Sequence, residues 1–138
     1  MVGNPPDRPR GEPFRLAPFR AEWAELVVSW VRDAREAYWL APKTPPPLTA
    51  AHVLGWQEYD RNPFVLLDLR ANGPVGYGEL NALRRVEREY WIGHLIIDAK
   101  QRGHGYGTCL TRLLLEEAFE QRGARRVSLV VFPENEAA

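Results

Sequence analysis

Apolar positions along this chain follow two spacings, and each switch between them marks a new element. Phe14 and Leu16 alternate with Arg15 and Ala17, a short strand over residues 14–19 that Pro18 holds to an edge or an end. From Ala21 the spacing changes to threes and fours, through Trp23, Leu26, Val27, Trp30 and Val31, one face of a helix. Glu22 and Glu25 lie near its start and Arg32 and Arg35 near its finish, the charge order a helix dipole favours. The run Pro45-Pro46-Pro47 blocks a helix. Thr49 then caps a second one, which carries Val53, Leu54 and Trp56 and ends near Asp60.

Three antiparallel strands follow. Residues 63–69 carry Phe64, Val65, Leu66 and Leu67, and Asn72-Gly73 is a turn signal. Residues 75–83 put Gly76 and Gly78 on one face and Val75, Tyr77 and Glu79 on the other. The charged stretch from Arg84 to Glu89 reads as a solvated hairpin end, and residues 90–97 become fully apolar at Leu95-Ile96-Ile97. A glycine-rich turn then opens a long helix with the inner stripe Cys109, Leu110, Leu113, Leu114 and Ala118. Gly123 suits the left-handed residue that ends it, and residues 126–132 form a buried strand reached by a strand-helix-strand crossover. The order is strand, two helices, three strands, helix, strand, an α/β fold on a mixed, mostly antiparallel sheet. Residues 1–13, with four prolines and two glycines, read as a disordered leader.

Composition narrows the function classes. The 138 residues fit one domain. Eighteen basic residues balance eighteen acidic ones, which argues against broad electrostatic binding to nucleic acid or to an anionic membrane. One cysteine makes neither an internal disulfide nor a cysteine-based zinc site, and the three histidines lack ligand spacing, so no metal is expected. No apolar run is long enough to span a bilayer and the N-terminus lacks a signal-peptide apolar region, so a cytoplasmic protein is expected.

The chemistry concentrates in Arg102-Gly103-His104-Gly105-Tyr106-Gly107-Thr108, between a strand and a helix. Amides at a helix start have no intrahelical partner and sit at the positive end of the dipole. Glycines let such a backbone form a concave nest around phosphate oxygens, and Arg102 adds charge at the rim. A diphosphate therefore fits. A nucleotide P-loop does not, because Tyr106-Gly107-Thr108 stands where Lys-Ser/Thr is needed. The dinucleotide fingerprint also fails: Gly103, Gly105 and Gly107 lack its two-residue second gap.

The run from Arg102 to Gly107 matches the signature Gln/Arg-x-x-Gly-x-Gly/Ala, and in this element order the chain resembles the GCN5-related N-acetyltransferase (GNAT) family from Phe14 to Ala138. Asn135, after Phe132-Pro133-Glu134, matches the asparagine that follows the family's fifth strand. Trp30, Trp39 and Thr49 look most like the branch of aminoglycoside 6'-acetyltransferases and ribosomal-protein acetyltransferases. The resemblance implies a splayed fourth and fifth strand pair, acetyl-CoA as co-substrate, and direct transfer to a primary amine of a small molecule or a protein N-terminus. It implies that Leu95-Ile96-Ile97 holds the pantetheine arm through the backbone of Leu95 and Ile97, with Asn135 nearby. It also implies that the amides of Gly103, His104, Gly105, Tyr106, Gly107 and Thr108 hold the pyrophosphate.

Two residues stand as the catalytic base. Glu79 lies in the glycine-flanked segment Gly76-Tyr77-Gly78-Glu79 beside the expected cleft, and reads equally as an ordinary strand carboxylate. His94 precedes the cofactor run; strict alternation packs it with Tyr90, Ile92 and Ile96, and a bulge would change that parity. Tyr38 and Trp39 are the candidates for lining the acceptor pocket. The ring of His104 reads as solvated and Cys109 as a small buried hydrophobe.

In the family, a helix and one or more strands follow the asparagine. The resemblance therefore implies a domain shortened at its C-terminus, with an exposed last strand that could pair with a second copy or a partner. Two other readings stand beside the enzyme: a catalytically impaired acyl-CoA-binding domain, and an interaction module that captures a partner on that strand.

Overall fold

The computed structural model describes residues 13–56, 61–71, 73–84 and 86–129. The expected leader up to residue 12, the helix end near Asp60, the turn residue Asn72, the last part of the final strand and Asn135 lie outside the described residues.

Five strands make one sheet in the order β1-β2-β3-β4-β5: β1 (Phe14–Pro18), β2 (Pro63–Asp68), β3 (Gly73–Arg84), β4 (Glu89–Ile97) and β5 (Arg126–Leu129). The first three pairings are antiparallel, and β4 runs parallel to β5 from Glu89↔Arg126 to Ile92↔Leu129. The parallel pair requires a crossover, which α4 (Tyr106–Glu116) supplies. A wide helical turn over Glu117–Gln121 continues α4, and Gly123 leaves it at φ +65°, the left-handed conformation expected there.

The helix expected from Ala21 to about Arg35 is broken. A short turn (Ala21–Trp23) leads into α1 (Ala24–Ser29), and a separate helix, α2, spans Ala34–Leu40. The break has a local cause: the Asp33 carboxylate accepts the Glu36 N–H at 2.9 Å and caps a new helix. Arg35, Tyr38 and Trp39 therefore ride on α2. Thr49 caps α3 (Ala50–Gly55) as expected, accepting the His52 N–H at 3.2 Å, and the His52 ring returns the bond to the Thr49 N–H. No helix among the described residues is long and apolar enough to cross a membrane.

Each face of the sheet carries its own core. On one face α4 buries Cys109, Leu110, Leu113 and Leu114 against Phe64, Leu66, Leu80 and Ile92, each large side chain contributing about 1.5–3 kcal/mol. Two glycines of β3 set how closely α4 sits. A Cβ on Gly76 would lie 3.2 Å from Leu110 Cδ2 of α4, and one on Gly78 would lie 2.9 Å from Leu114 Cδ1 of α4 and 2.8 Å from Leu95 Cδ1 of β4. On the other face α1, α3 and the segment before α3 pack Val27, Trp30, Leu48, Val53 and Trp56 on Tyr77 and Ile96.

Two bulges decide which side chains reach which face. One lies opposite Leu66/Leu67 and turns Val75 to the α4 side, not to the side of Tyr77 and Glu79 as alternation predicts. The second lies in β4, where Tyr77 faces Ile96 but Glu79 faces Gly93, so His94 and Leu95 together oppose Gly78. His94 sits there at φ +47°.

Candidate active site

The glycine turn hangs from the end of β4. Asp98 accepts the Lys100 N–H at 3.0 Å and caps a short turn, after which Gly103 and Gly105 adopt φ +84° and +79°. A side chain at either position would meet nothing within 4 Å, so backbone conformation, not packing, requires glycine there. Gly107 differs: a Cβ there would touch only Ile97 Cγ1, at 3.8 Å. Gly105 caps α4, and the first helical bond runs from the Cys109 N–H to the Gly105 carbonyl at 3.0 Å. The amides of Tyr106, Gly107 and Thr108 thus precede the first helical donor, at the positive end of an eleven-residue helix. His104 is exposed, as expected. The Tyr106 ring turns inward, edge-to-face with Phe14 at 4.9 Å, and ties the start of α4 to β1.

Arg102 departs from the rim position expected of it. Its Nε donates to the Ile97 carbonyl at 3.0 Å, its Nη1 to Glu36 Oε2 at 2.7 Å and its Nη2 to the Trp30 carbonyl at 2.8 Å. These three acceptors on β4, α2 and α1 draw the guanidinium into the fold.

The backbone of β4 has an outward side. Asp98 N–H donates to the Val75 carbonyl at 2.8 Å, toward β3. With planar trans peptides and antiparallel alternation, the Leu95 carbonyl and both Ile97 groups then point away from β3. Described pairing with β5 stops at Ile92↔Leu129, before these residues.

On the α1–α3 face, alternation along β3 aligns Tyr77, Glu79 and Asn81, all essentially without solvent exposure. Glu79 accepts from Asn81 Nδ2 at 3.0 Å and Arg61 Nη1 at 3.2 Å on one oxygen. Its other oxygen takes the Tyr77 hydroxyl at 2.6 Å and His94 Nδ1 at 2.9 Å. Four donors fill the acceptor sites of a carboxylate, so Glu79 has no site left for a substrate. The bulge swings His94 to this face, away from Tyr90 and Ile92, where the Trp56 ring stacks on it at 3.9 Å and 11°. Arg61 Nη1 also lies 3.3 Å from His94 Nδ1. The carboxylate contact is shorter and can only accept, which assigns the proton to Nδ1. Nε2 is then the basic position, without a hydrogen-bond partner among the described residues, on a side chain 14% exposed.

Tyr38 lies on α2, about half exposed, and lines an open groove of about 250 Å³ with Ala37, Pro42 and Pro45. Trp39 is half-buried under the Arg35 guanidinium, 5.9 Å from its ring.

Residues 17–138 match the sequence model of the acetyltransferase (GNAT) family. The chain belongs to that family. No curated protein matches it. Among solved structures, a Vibrio cholerae spermidine N-acetyltransferase in complex with CoA and spermine is 17% identical with a TM-score of 0.73, over 89% of this chain and 73% of that one. A dodecameric structure of spermidine N-acetyltransferase from Vibrio cholerae gives 18% and 0.67, over 89% and 72%. A T. thermophilus protein described as a candidate acetyltransferase gives 23% and 0.72, over 96% and 70%. The likeness at these identities is one of fold, and it is the GNAT fold the sequence predicts.

Of the expected site residues, the GNAT chain gathers Gly103 to Thr108 at one helix start and Glu79 with His94 in one cluster. Sequence reasoning missed Arg61, Asn81 and Trp56 as members of that cluster. Asn81 was legible, since Tyr77-x-Glu79-x-Asn81 repeats at strand period opposite two glycines. Arg61 carries no such signal, because it lies between elements.

Proposed function

We propose that this GNAT chain transfers the acetyl group of acetyl-CoA to a primary amine by direct attack. The observation that carries this reading is the turn at the start of α4, where the amides of Tyr106 to Thr108, without a partner among the described residues, adjoin the outward Leu95 carbonyl and Ile97 N–H. A diphosphate suits the first feature, and an amide-bearing arm suits the second. The amine nitrogen attacks the thioester carbonyl carbon, the carbon–sulfur bond breaks, and the thiolate leaves. An outward amide of β4 stabilises the developing oxyanion, a contribution of about 3–4 kcal/mol per donor.

The proton on the attacking nitrogen passes to Nε2 of His94. Glu79 is a positioning residue in this scheme: it holds the Nδ1–H tautomer and stabilises the imidazolium that forms. Small polyamines head the acceptor candidates, since a fold neighbour is a spermidine N-acetyltransferase bound to CoA and spermine. Tyr38 and Trp39 on α2 are the proposed acceptor-side contacts.

Thermal shift with acetyl-CoA and thiol release with spermine, spermidine, an aminoglycoside, an amino acid and a peptide N-terminus test the reading. At a hundredfold excess over Kd, acetyl-CoA should stabilise the fold by about 2.7 kcal/mol, and Gly105→Glu should abolish that gain. No stabilisation of the folded wild type would overturn the cofactor assignment. Binding without thiol release on any of these amines would favour a non-catalytic acyl-CoA-binding domain.

A further inference from the structure

The cation of the glycine turn faces away from the turn. Arg102 engages all three guanidinium nitrogens inside the fold, on the Ile97 carbonyl, Glu36 Oε2 and the Trp30 carbonyl, at 3.0, 2.7 and 2.8 Å. Each acceptor has its own reason to need a donor. Trp30 closes α1, and carbonyls at a helix end lack intrahelical donors. Ile97 ends β4 with an outward carbonyl. Glu36 lies in the first turn of α2, where Arg32 also pairs with it and where its own N–H is held by Asp33. One planar fork therefore joins three elements separated by up to 72 residues. A lysine ammonium cannot match three divergent acceptors in this way.

The joined elements sit on the two halves of the site. The turn that follows Arg102 is the diphosphate half. α1 and α2 belong to the face that carries His94, since Trp30, Leu40 and Ala41 share a core with Tyr77, Ile96 and Trp56. The same two helices wall an open groove of about 380 Å³ lined by Val28, Val31, Ala34, Ala37 and Pro46. The His94 ring lies on this same face of the sheet, and α4 covers the opposite one. Burial alone would raise the Glu36 carboxyl, but hydrogen bonds from Arg32 and Arg102 outweigh it and hold the pKa at about 2. The pair is thus fully charged at neutral pH.

From this arrangement we infer that Arg102 is a positioning residue that fixes the α1–α2 wall, and with it the amine acceptor, against the cofactor turn, and that it does not bind the phosphates. The inference rests on the acetyl-transfer reading above. It explains why an arginine beside a phosphate-binding turn points inward, and it gives Glu36 a role in acceptor affinity although it lies 66 residues from Arg102 in sequence.

Arg102→Met and Glu36→Gln test it, alone and together. Both single variants should raise the KM of the panel amine that supports turnover by about tenfold, with the double variant no worse than either single one. The acetyl-CoA Kd should change by less than about threefold, and kcat at saturating amine should hold within the same factor. Arg102→Lys should recover only part of the loss. Hydrogen exchange on the unliganded chain should show faster exchange over α1 and α2 in both single variants. That readout needs no cofactor, so it separates failure of this inference from failure of the acetyl-transfer reading. A rise of more than about tenfold in acetyl-CoA Kd for Arg102→Met, with exchange over α1 and α2 unchanged, would make Arg102 a phosphate ligand and overturn the inference. Additive losses in the double variant would overturn it too. Should Arg102→Met fail to fold, Glu36→Gln carries the same test from the other end.

Discussion

Replacing Glu79 by glutamine is the sharpest perturbation of the cluster beneath His94. The change is nearly isosteric, but it turns one carboxylate oxygen into an NH₂. If the NH₂ takes the Oε1 site, it meets Asn81 Nδ2 and Arg61 Nη1, neither of which can accept. At the Oε2 site it meets the Tyr77 hydroxyl and His94 Nδ1, and both can accept. The glutamine therefore settles in the second orientation. The Tyr77 hydroxyl rotates, and His94 shifts its proton from Nδ1 to Nε2. All four contacts survive in outline, and only the charge opposite Arg61 is lost, so the stability loss should be about 1–3 kcal/mol. Glu79→Ala, by contrast, strands a largely buried guanidinium and should cost about 3–5 kcal/mol. The catalytic consequence of Glu79→Gln is larger than its structural one, because Nε2 now carries a proton and cannot accept another. Thiol-release kinetics should show kcat down by about 10²–10⁴-fold, the usual contribution of a general base, with acetyl-CoA affinity unchanged. A folded Glu79→Gln variant that binds acetyl-CoA normally and turns over within about threefold of wild type would refute the assignment of His94 as base.

Three further outcomes follow from the same geometry. The glycines of the turn should separate by role: Gly105→Ala should lose about 1–2 kcal/mol in chemical denaturation from its positive φ, whereas Gly107→Ala should be neutral or gain up to about 1 kcal/mol. Gly78→Ala should lose about 1–3 kcal/mol by pushing Leu95 and Leu114 apart, and trimming Leu114 to valine in the same chain should return part of that. The Glu36 carboxyl, at about 2 folded against 4.5 unperturbed, contributes stability that is fully present above the unperturbed value and is lost as pH falls toward the folded one. The stability gap between wild type and Glu36→Gln, up to about 3 kcal/mol near neutral pH, should shrink steadily as denaturation is repeated at lower pH.

Much of the fold was legible because its signals are local. The period of two at Phe14-Leu16, the period of three to four along Cys109-Leu113-Leu114, the Thr49 cap and the left-handed Gly123 each declare themselves within a few residues. The break at Asp33 was missed because the apolar spacing runs through it, while the capping carboxylate competes with helix continuation only through one hydrogen bond to Glu36. The site divides in the same way. Gly103 and Gly105 were readable as a phosphate turn, since glycine at positive φ is a backbone demand. The faces of Val75 and His94 were not, because one extra residue in a strand reverses every later side chain, and nothing in Gly93-His94-Leu95 marks the bulge. Arg102 was readable as a cation in the turn but not as a clamp, since its acceptors Glu36 and Trp30 lie far away in sequence.

The proposed function stands or falls on whether cofactor held at the Gly103–Thr108 turn delivers acetyl to an amine. The most direct measurement follows free thiol and acetylated amine together, by thiol titration and mass spectrometry, after adding acetyl-CoA and each panel amine to wild type and to Gly105→Glu. Wild type should yield equal amounts of thiol and acetylated amine with at least one amine, and Gly105→Glu should yield neither. Equal product from the two proteins, or none from a folded wild type that binds acetyl-CoA, would contradict it.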